Sequence, residues 1–198
     1  IGLTGGNDKS TFYVSLGYQK DEGIVATAIS HYEKYNLRLN STHKVSQIFT
    51  IGQTLGYTHT NSQGLGNTNS EYGGPLSSAI NLDPITPVIE TDPVKLANPS
   101  LYPELAVRDD AGNVFGISTA GMQEMSNPLA YMQTQMGRES WDDNIVGNLS
   151  LEANITSELK FRSVFSGKLS FWGGEGFSPS YYLGSGGGLS SPRNYMYK

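Results

Sequence analysis

The feature that most constrains this chain is a window of alternating polarity, Tyr35-Asn36-Leu37-Arg38-Leu39-Asn40, followed after a short turn by another over residues 49–57. Period-two alternation defines a strand with two unlike faces. Tyr35, Leu37 and Leu39 lie on one face, and Asn36, Arg38 and Asn40 on the other. A sheet built this way separates an apolar medium from a wet one.

The same division recurs in five predicted strands. The first sets Phe12, Val14, Leu16 and Tyr18 against Tyr13, Ser15, Gly17 and Gln19, and the second is the window above. In the third, Phe49, Ile51, Leu55 and Tyr57 oppose Thr50, Thr54 and Thr58, with Gln53 as the exception. The fourth sets Leu149 and Leu151 against Asn148 and Glu152, and the fifth sets Phe161, Phe165, Leu169 and Phe171 against Arg162, Ser166 and Lys168. Connection lengths alternate as well. Tight turns fall at 41–47 and 156–158, while longer stretches occupy 20–30, about 61–142 and the Gly-rich 173–188. Short turns at one end and long loops at the other are the pattern of an outer-membrane β-barrel. The chain accordingly divides into the first strands and their loop (1–60), a long insertion (61–142), a strand hairpin (143–172) and part of a further loop (173–198).

Composition agrees with β-structure carrying long loops: of 198 residues, 37% are hydrophobic, 11% are aromatic, 24 are Gly and 12 are Tyr. The chain has no cysteine, which excludes disulfides, thiolate metal sites and a Cys nucleophile. A net charge of −5 with scattered basic residues argues against nucleic acid as a partner. No run reaches the ~18 apolar residues of a transmembrane helix, a test that does not bear on membrane strands, whose signal is weaker. Residues 1–6 show neither the basic nor the apolar region of a signal peptide, so the expectation is a removed leader or a start inside a longer protein.

Within the insertion, Pro75 followed by residues 76–80 predicts a short helix ending before Asp83-Pro84. Asn127-Pro128 followed by residues 129–136 predicts a second, with Asn as N-cap and Gly137 as terminator. Residues 109–113, flanked by Val107 and by Val114-Phe115, predict a hairpin turn. The insertion is expected to fold as a cap over one end of the sheet.

No catalytic constellation emerges. His31, His43 and His59 lack metal-ligand spacing. Gly184-Ser185-Gly186-Gly187-Gly188 lacks the Lys-Ser or Lys-Thr of a phosphate loop. The pairs Asp21-Glu22, Asp109-Asp110 and Asp142-Asp143 read as solvated turn or strand carboxylates rather than a glycosidase dyad. The Asn-X-Ser/Thr matches at Asn40, Asn148 and Asn154 are read as chance. Nothing implies a cofactor. The aromatics Tyr72, Tyr102, Tyr131, Trp141, Trp172, Tyr181 and Tyr182 have two readings: an interfacial girdle for the two Trp with loop packing for the rest, or contacts with a ligand or a lid protein.

Residues 5–18, then Glu22-Gly23-Ile24-Val25, then the 35–40 window resemble the first barrel strands of the SusC/RagA family of TonB-linked outer-membrane transporters. Pro84-Ile85-Thr86-Pro87-Val88, Asn127-Pro128-Leu129-Ala130 and Leu159-Lys160-Phe161-Arg162-Ser163 extend that resemblance over most of the chain. It implies a segment, about five strands, of a 22-stranded transmembrane barrel just after its plug, in the outer membrane. It further implies TonB coupling through an N-terminal part not in this sequence, a SusD-like surface lipoprotein as partner, glycan or peptide cargo, and no enzymatic activity. Under it, Phe12, Leu16, Leu37, Leu39, Ile51, Leu55, Leu149, Leu151, Phe161 and Phe165 face lipid, and Asn36, Arg38, Asn40, Thr54, Asn148, Glu152, Arg162 and Lys168 face the plug or lumen. Two other readings remain open: a soluble carbohydrate-binding β-sandwich or small barrel, whose greasy face would turn inward, and an outer-membrane enzyme.

Overall fold

The computed structural model describes residues 1–27, 29–65, 74–120, 125–135, 137–184 and 187–198. Its main element is an antiparallel sheet. The strands are β1 (Gly2–Gly6), β2 (Ser10–Glu22), β3 (His31–Lys44), β4 (Phe49–Gln63), β5 (Gly137–Asn154), β6 (Lys160–Ser178) and β9 (Arg193–Tyr197), in the spatial order β1-β2-β3-β4-β5-β6-β9. Every neighbouring pair is antiparallel, so each connection reverses the chain. The sheet stays open, with β1 and β9 as its outer strands.

The short connections lie at one end, and a small polar side chain closes each. Asn7 Oδ1 accepts from the N–H groups of Lys9 and Ser10, both at 2.9 Å. Ser46 Oγ accepts from Ile48 at 3.1 Å and Phe49 at 3.0 Å, and Thr156 Oγ1 accepts from Leu159 at 3.0 Å. Such side-chain-to-backbone bonds satisfy turn amides that the ladder cannot reach. The long connections all leave from the opposite end.

The long connections carry the remaining elements: α1 (Pro75–Asn81), α2 (Pro93–Leu96), α3 (Pro128–Gln133), β7 (Tyr181–Tyr182) and β8 (Gly188–Leu189). α3 opens as the sequence predicts, because Asn127 Oδ1 accepts from Leu129 N–H at 3.1 Å and Pro128 occupies the first turn. The 109–113 turn also forms. Asp109 Oδ1 accepts from Ala111 and Asn113, Gly112 supplies a φ of +85°, and Arg108 and Val114 pair across it.

Several boundaries differ from those read in the sequence. The five predicted strands become seven in the sheet, because Gly2-Leu3-Thr4-Gly5-Gly6 and Arg193–Tyr197 also pair. β6 continues through Gly173, Gly174 and Gly176, which read as loop, because aromatic rings from neighbouring strands cover these glycines. α3 stops at Gln133, and Gly137 opens β5 instead of terminating a helix. The Asp92-capped turn α2 has no counterpart in the sequence reading; Asp92 Oδ1 accepts from Val94 N–H at 2.9 Å.

The buried apolar core lies off the sheet. Tyr102, Ala106 and Val114 form one cluster with Leu96, Leu101 and Ile117 packed against it. Phe115, Ala130 and Leu183 form a second, with Ile89, Val107, Tyr131 and Tyr181. The segment 179–184 closes against the insertion, since Tyr182 N–H donates to Leu105 O at 2.7 Å. Two loops that are distant in sequence thus share one cap.

Candidate membrane wall and cap

Register decides which side chains share a face of the sheet, because residues directly opposite each other point the same way. The rows Val14–Leu39–Leu55–Gly147–Gly167 and Phe12–Ser41–Gln53–Leu149–Phe165 fix one face across β2 to β6. All ten residues of the set Phe12, Leu16, Leu37, Leu39, Ile51, Leu55, Leu149, Leu151, Phe161 and Phe165 fall on it. Asn36, Arg38, Asn40, Thr54, Asn148, Glu152, Arg162 and Lys168 fall on the other. The apolar face is open, with Phe165 at 78%, Leu16 at 60% and Phe161 at 53% exposure. A continuous uncovered face of this size is unusual against water.

Aromatic rows border the apolar face at both ends. Toward the short turns lies Phe49–Ala153–Phe161; toward the long loops lies Tyr18–Tyr35–His59–Asp143–Phe171, with Tyr57 one step below. Phe161 and Phe171 stand ten positions apart on β6. At ~3.3 Å per residue and a tilt of ~40°, that span rises ~25 Å, the height of the apolar band of an outer-membrane barrel.

The tyrosine hydroxyls of the upper row reach polar groups further toward the long loops. Tyr57 Oη donates to Asp143 Oδ1 at 2.7 Å, and His59 Nδ1 lies 2.8 Å from the same oxygen. Tyr18 and Tyr35, 5.0 Å apart between ring centroids, both donate to Glu33, at 3.4 and 3.2 Å. Rings on the apolar side and hydroxyls on the polar side are what a membrane interface selects. The sequence reading assigned a girdle to Trp141 and Trp172 and missed this row. Its signal was the tyrosine at the loop end of the first three predicted apolar runs, Tyr18, Tyr35 and Tyr57.

The other face is polar and cationic. Among the described residues, the strands place Lys34, Arg38, Lys44, Arg138, Lys160, Arg162, Lys168 and Arg193 there against Asp21, Asp142 and Glu152. Eight cations against three carboxylates invert the chain's overall charge of −5. Glu152 sits directly across from Arg162. Hydroxyls and amides are frequent on this face, among them Asn36 Oδ1 accepting from Thr58 Oγ1 at 3.0 Å, and Val146 and Val164 interrupt them.

The seven aromatics singled out in the sequence separate. Trp141 lies on the apolar face over Gly173, whereas Trp172 pairs with Asp142 and so lies on the cationic face, 5.8 Å from Tyr197. Tyr131, Tyr181 and Tyr182 belong to the cap. Tyr102 is only 7% exposed and holds the cap's buried carboxylate. Tyr72 lies outside the described residues.

On the cationic face, Tyr197 and Tyr195 lean across β6 onto glycines. A Cβ at Gly174 would stand 2.5 Å from Tyr197 Oη and 2.9 Å from Glu139 O. Gly174→Val must therefore displace the Tyr197 ring of β9 and press β6 against the β5 backbone at Glu139, costing about 1–3 kcal/mol as overpacking does. The expected result is faster amide exchange at Met196 and Tyr197 with exchange in β3 unchanged; equal protection of β9 would remove the ring-over-glycine contact from the account.

Buried carboxylates organise the cap. Glu90, whose side chain is 5% exposed, accepts from the N–H groups of Thr91 at 3.0 Å and Asp92 at 2.9 Å, from Tyr102 Oη at 3.2 Å and from Lys95 Nζ at 3.3 Å. Tyr102 Oη in turn accepts from Ile117 N–H at 3.0 Å, which ties two loop segments through one carboxylate. The Asp92 amide, helped by Lys95, holds the Glu90 carboxyl below the usual range, against the opposing effect of burial. Ser118 and Thr86 hydroxyls do the same for Asp83. Burial raises the Tyr102 phenol.

A carboxyl with a lowered folded pKa stabilises above its unfolded value, ~4 for these groups, and that stabilisation is lost as pH falls through the folded value. Protection of the Thr91, Asp92 and Ile117 amides is therefore expected to hold at pH 5 to 7 and to fall only below the ordinary carboxylate range. Glu90→Gln should flatten that dependence; an unchanged acid transition would show that Glu90 is not its source.

The open antiparallel sheet, bordered by aromatic rows and looped at one end, is the architecture of a β-barrel segment. No family model matches the chain. Over 195 residues, 96% of this chain, it is 25% identical to a Formosa agariphila protein named TonB-dependent receptor P26. The chain spans 17% of that protein's length. This likeness supports a relationship to TonB-dependent receptors.

Proposed function

We propose that this chain forms a stretch of wall and surface cap of a TonB-dependent outer-membrane importer. The observation that carries the reading is the exposed apolar face with an aromatic row at each end, at a separation matching the membrane's apolar band. The ten apolar-face residues contact lipid, and the eight polar-face residues look onto a plug or lumen. The free edges of β1 and β9 need further strands as neighbours, because unpaired backbone groups in hydrocarbon cost several kcal/mol each. The long loops and their cap stand on the extracellular side. There they meet cargo, a glycan or a peptide, and a SusD-like lipoprotein, while TonB couples through other segments of the full-length protein.

Fractionation of cells expressing the full-length protein tests the reading. The expected outcome is recovery in the outer membrane, resistant to carbonate extraction and shifting mobility on heating, as folded barrels do. Recovery in the aqueous phase without detergent would overturn it. A soluble sandwich would need a second layer over Phe165, Leu16 and Phe161, and in the described residues these stay open.

A further inference from the structure

Two rows on the cationic face, above the level of the upper aromatic border, juxtapose groups that the wall itself does not use. Arg138, Gly176 and Tyr195 lie in register across β5, β6 and β9, as do Ser140, Gly174 and Tyr197. With no Cβ on either glycine, the two tyrosine rings lie down on the sheet, 6.3 Å apart between centroids and within 14° of parallel. Their outer faces stay open, at 40% and 43% exposure. The half-buried Arg138 shares a groove with them; its Nε is buried and makes no hydrogen bond among the described residues. Ser62 and Ser140 hydroxyls, 2.9 Å apart, line the same groove.

Glu139 also lines the groove, where its Oε1 accepts from Asn61, but among the described residues no carboxylate lies within ion-pair distance of Arg138, and a guanidinium so placed in a partly desolvated groove is costly unless an anion arrives to pair with it. Flat tyrosine faces, electron-rich and apolar, suit the C–H-rich face of a sugar ring, and flanking hydroxyls suit its hydroxyl groups. We infer that this groove is a subsite for an anionic saccharide, one ring stacking on Tyr195 and Tyr197 while its carboxylate or sulfate pairs with Arg138. One row further toward the long loops, opposite Ser178, Arg193 places a second cation on the same face beside the groove. The inference deepens the importer reading by naming a charge class and a place, and it rests on that reading only for the side from which the saccharide arrives.

Binding is measured on the detergent-solubilised full-length protein, without energisation, using uronic-acid oligosaccharides, sulfated oligosaccharides and neutral glucans of equal length. The expected result is binding of at least one anionic class that weakens with added salt, that neutral glucans do not match, and that Arg138→Gln and Tyr197→Ala each weaken about tenfold or more. Preference for neutral glucans, binding by none of the three, or full affinity in Arg138→Gln would overturn it. Should a variant fail to show the heat-dependent mobility of a folded barrel, the salt dependence and anion preference of the unaltered protein decide. Membrane fractionation is scored separately, so loss of the subsite and loss of the importer reading are distinguishable results.

Discussion

Leu39→Arg is expected to cut the yield of folded, heat-modifiable protein in the outer membrane severely, whereas Arg38→Ala, one residue away, should assemble nearly as the unaltered protein does. Leu39 lies midway along β3 between Tyr35 in the upper border and His43 near the short turns, and it pairs with Leu55 of β4. A charged Arg at that depth on a lipid-facing strand costs ~2–4 kcal/mol, falling to ~0–1 near the interfaces. Tyr35→Arg, at the border, should accordingly cost little of this. The alternation makes the comparison sharp, because the three positions share one strand and one set of backbone pairings. If Leu39→Arg assembles normally and a hydrophobic residue at Arg38 improves assembly, the two faces have been assigned the wrong way round. If neither change matters, the face is not in contact with lipid at all.

That contrast rests on a feature legible in the sequence, and its limits were physical. Period-two alternation assigns residues within one strand without any knowledge of neighbours, so Leu37 against Arg38 and Phe165 against Ser166 could be separated on sight. Rows across strands need register, and register is set by the turns that Asn7, Ser46 and Thr156 close. Trp141 and Trp172 show the difference. Both lie near the long loops, yet β5 and β6 pair Trp141 with Gly173 and Trp172 with Asp142, which sends the two rings to opposite faces. The same parity hid Arg138, Tyr195 and Tyr197. Glycines at 173, 174 and 176 have little strand propensity of their own, and the extension of β6 is held by its pairing with β5 and β9 and by the rings laid over the glycines. In the cap, the capping residue of α3 and the Asp109 turn were local signals and could be read directly. The Glu90–Tyr102–Ile117 connection was not, because it joins segments through side chains with no periodic pattern.

Phe115→Ala is expected to release the cap while leaving the wall assembled. Phe115 is 6% exposed and meets Ala130 of the α3 segment, Leu183 of the 179–184 segment, and Ile89, Val107, Tyr131 and Tyr181 around them. Its N–H donates to Val107 O at 3.1 Å, so the ring and the strand-like pairing of the 109–113 hairpin depend on each other. Removing a buried Phe side chain costs about 3–5 kcal/mol. The cap has two small clusters rather than one large core, and a loss of that size is comparable to what such a core can supply. The sheet's strands are held by their own ladders rather than by this cluster. Limited proteolysis of the folded protein should therefore cut Phe115→Ala within residues 74–120 at a protease level that spares the unaltered protein, with heat-dependent mobility retained. Phe165→Ala, at 78% exposure on the apolar face, should leave the cap resistant. Cleavage confined to other loops, or joint loss of cap and barrel, would show that the two do not fold as separable layers.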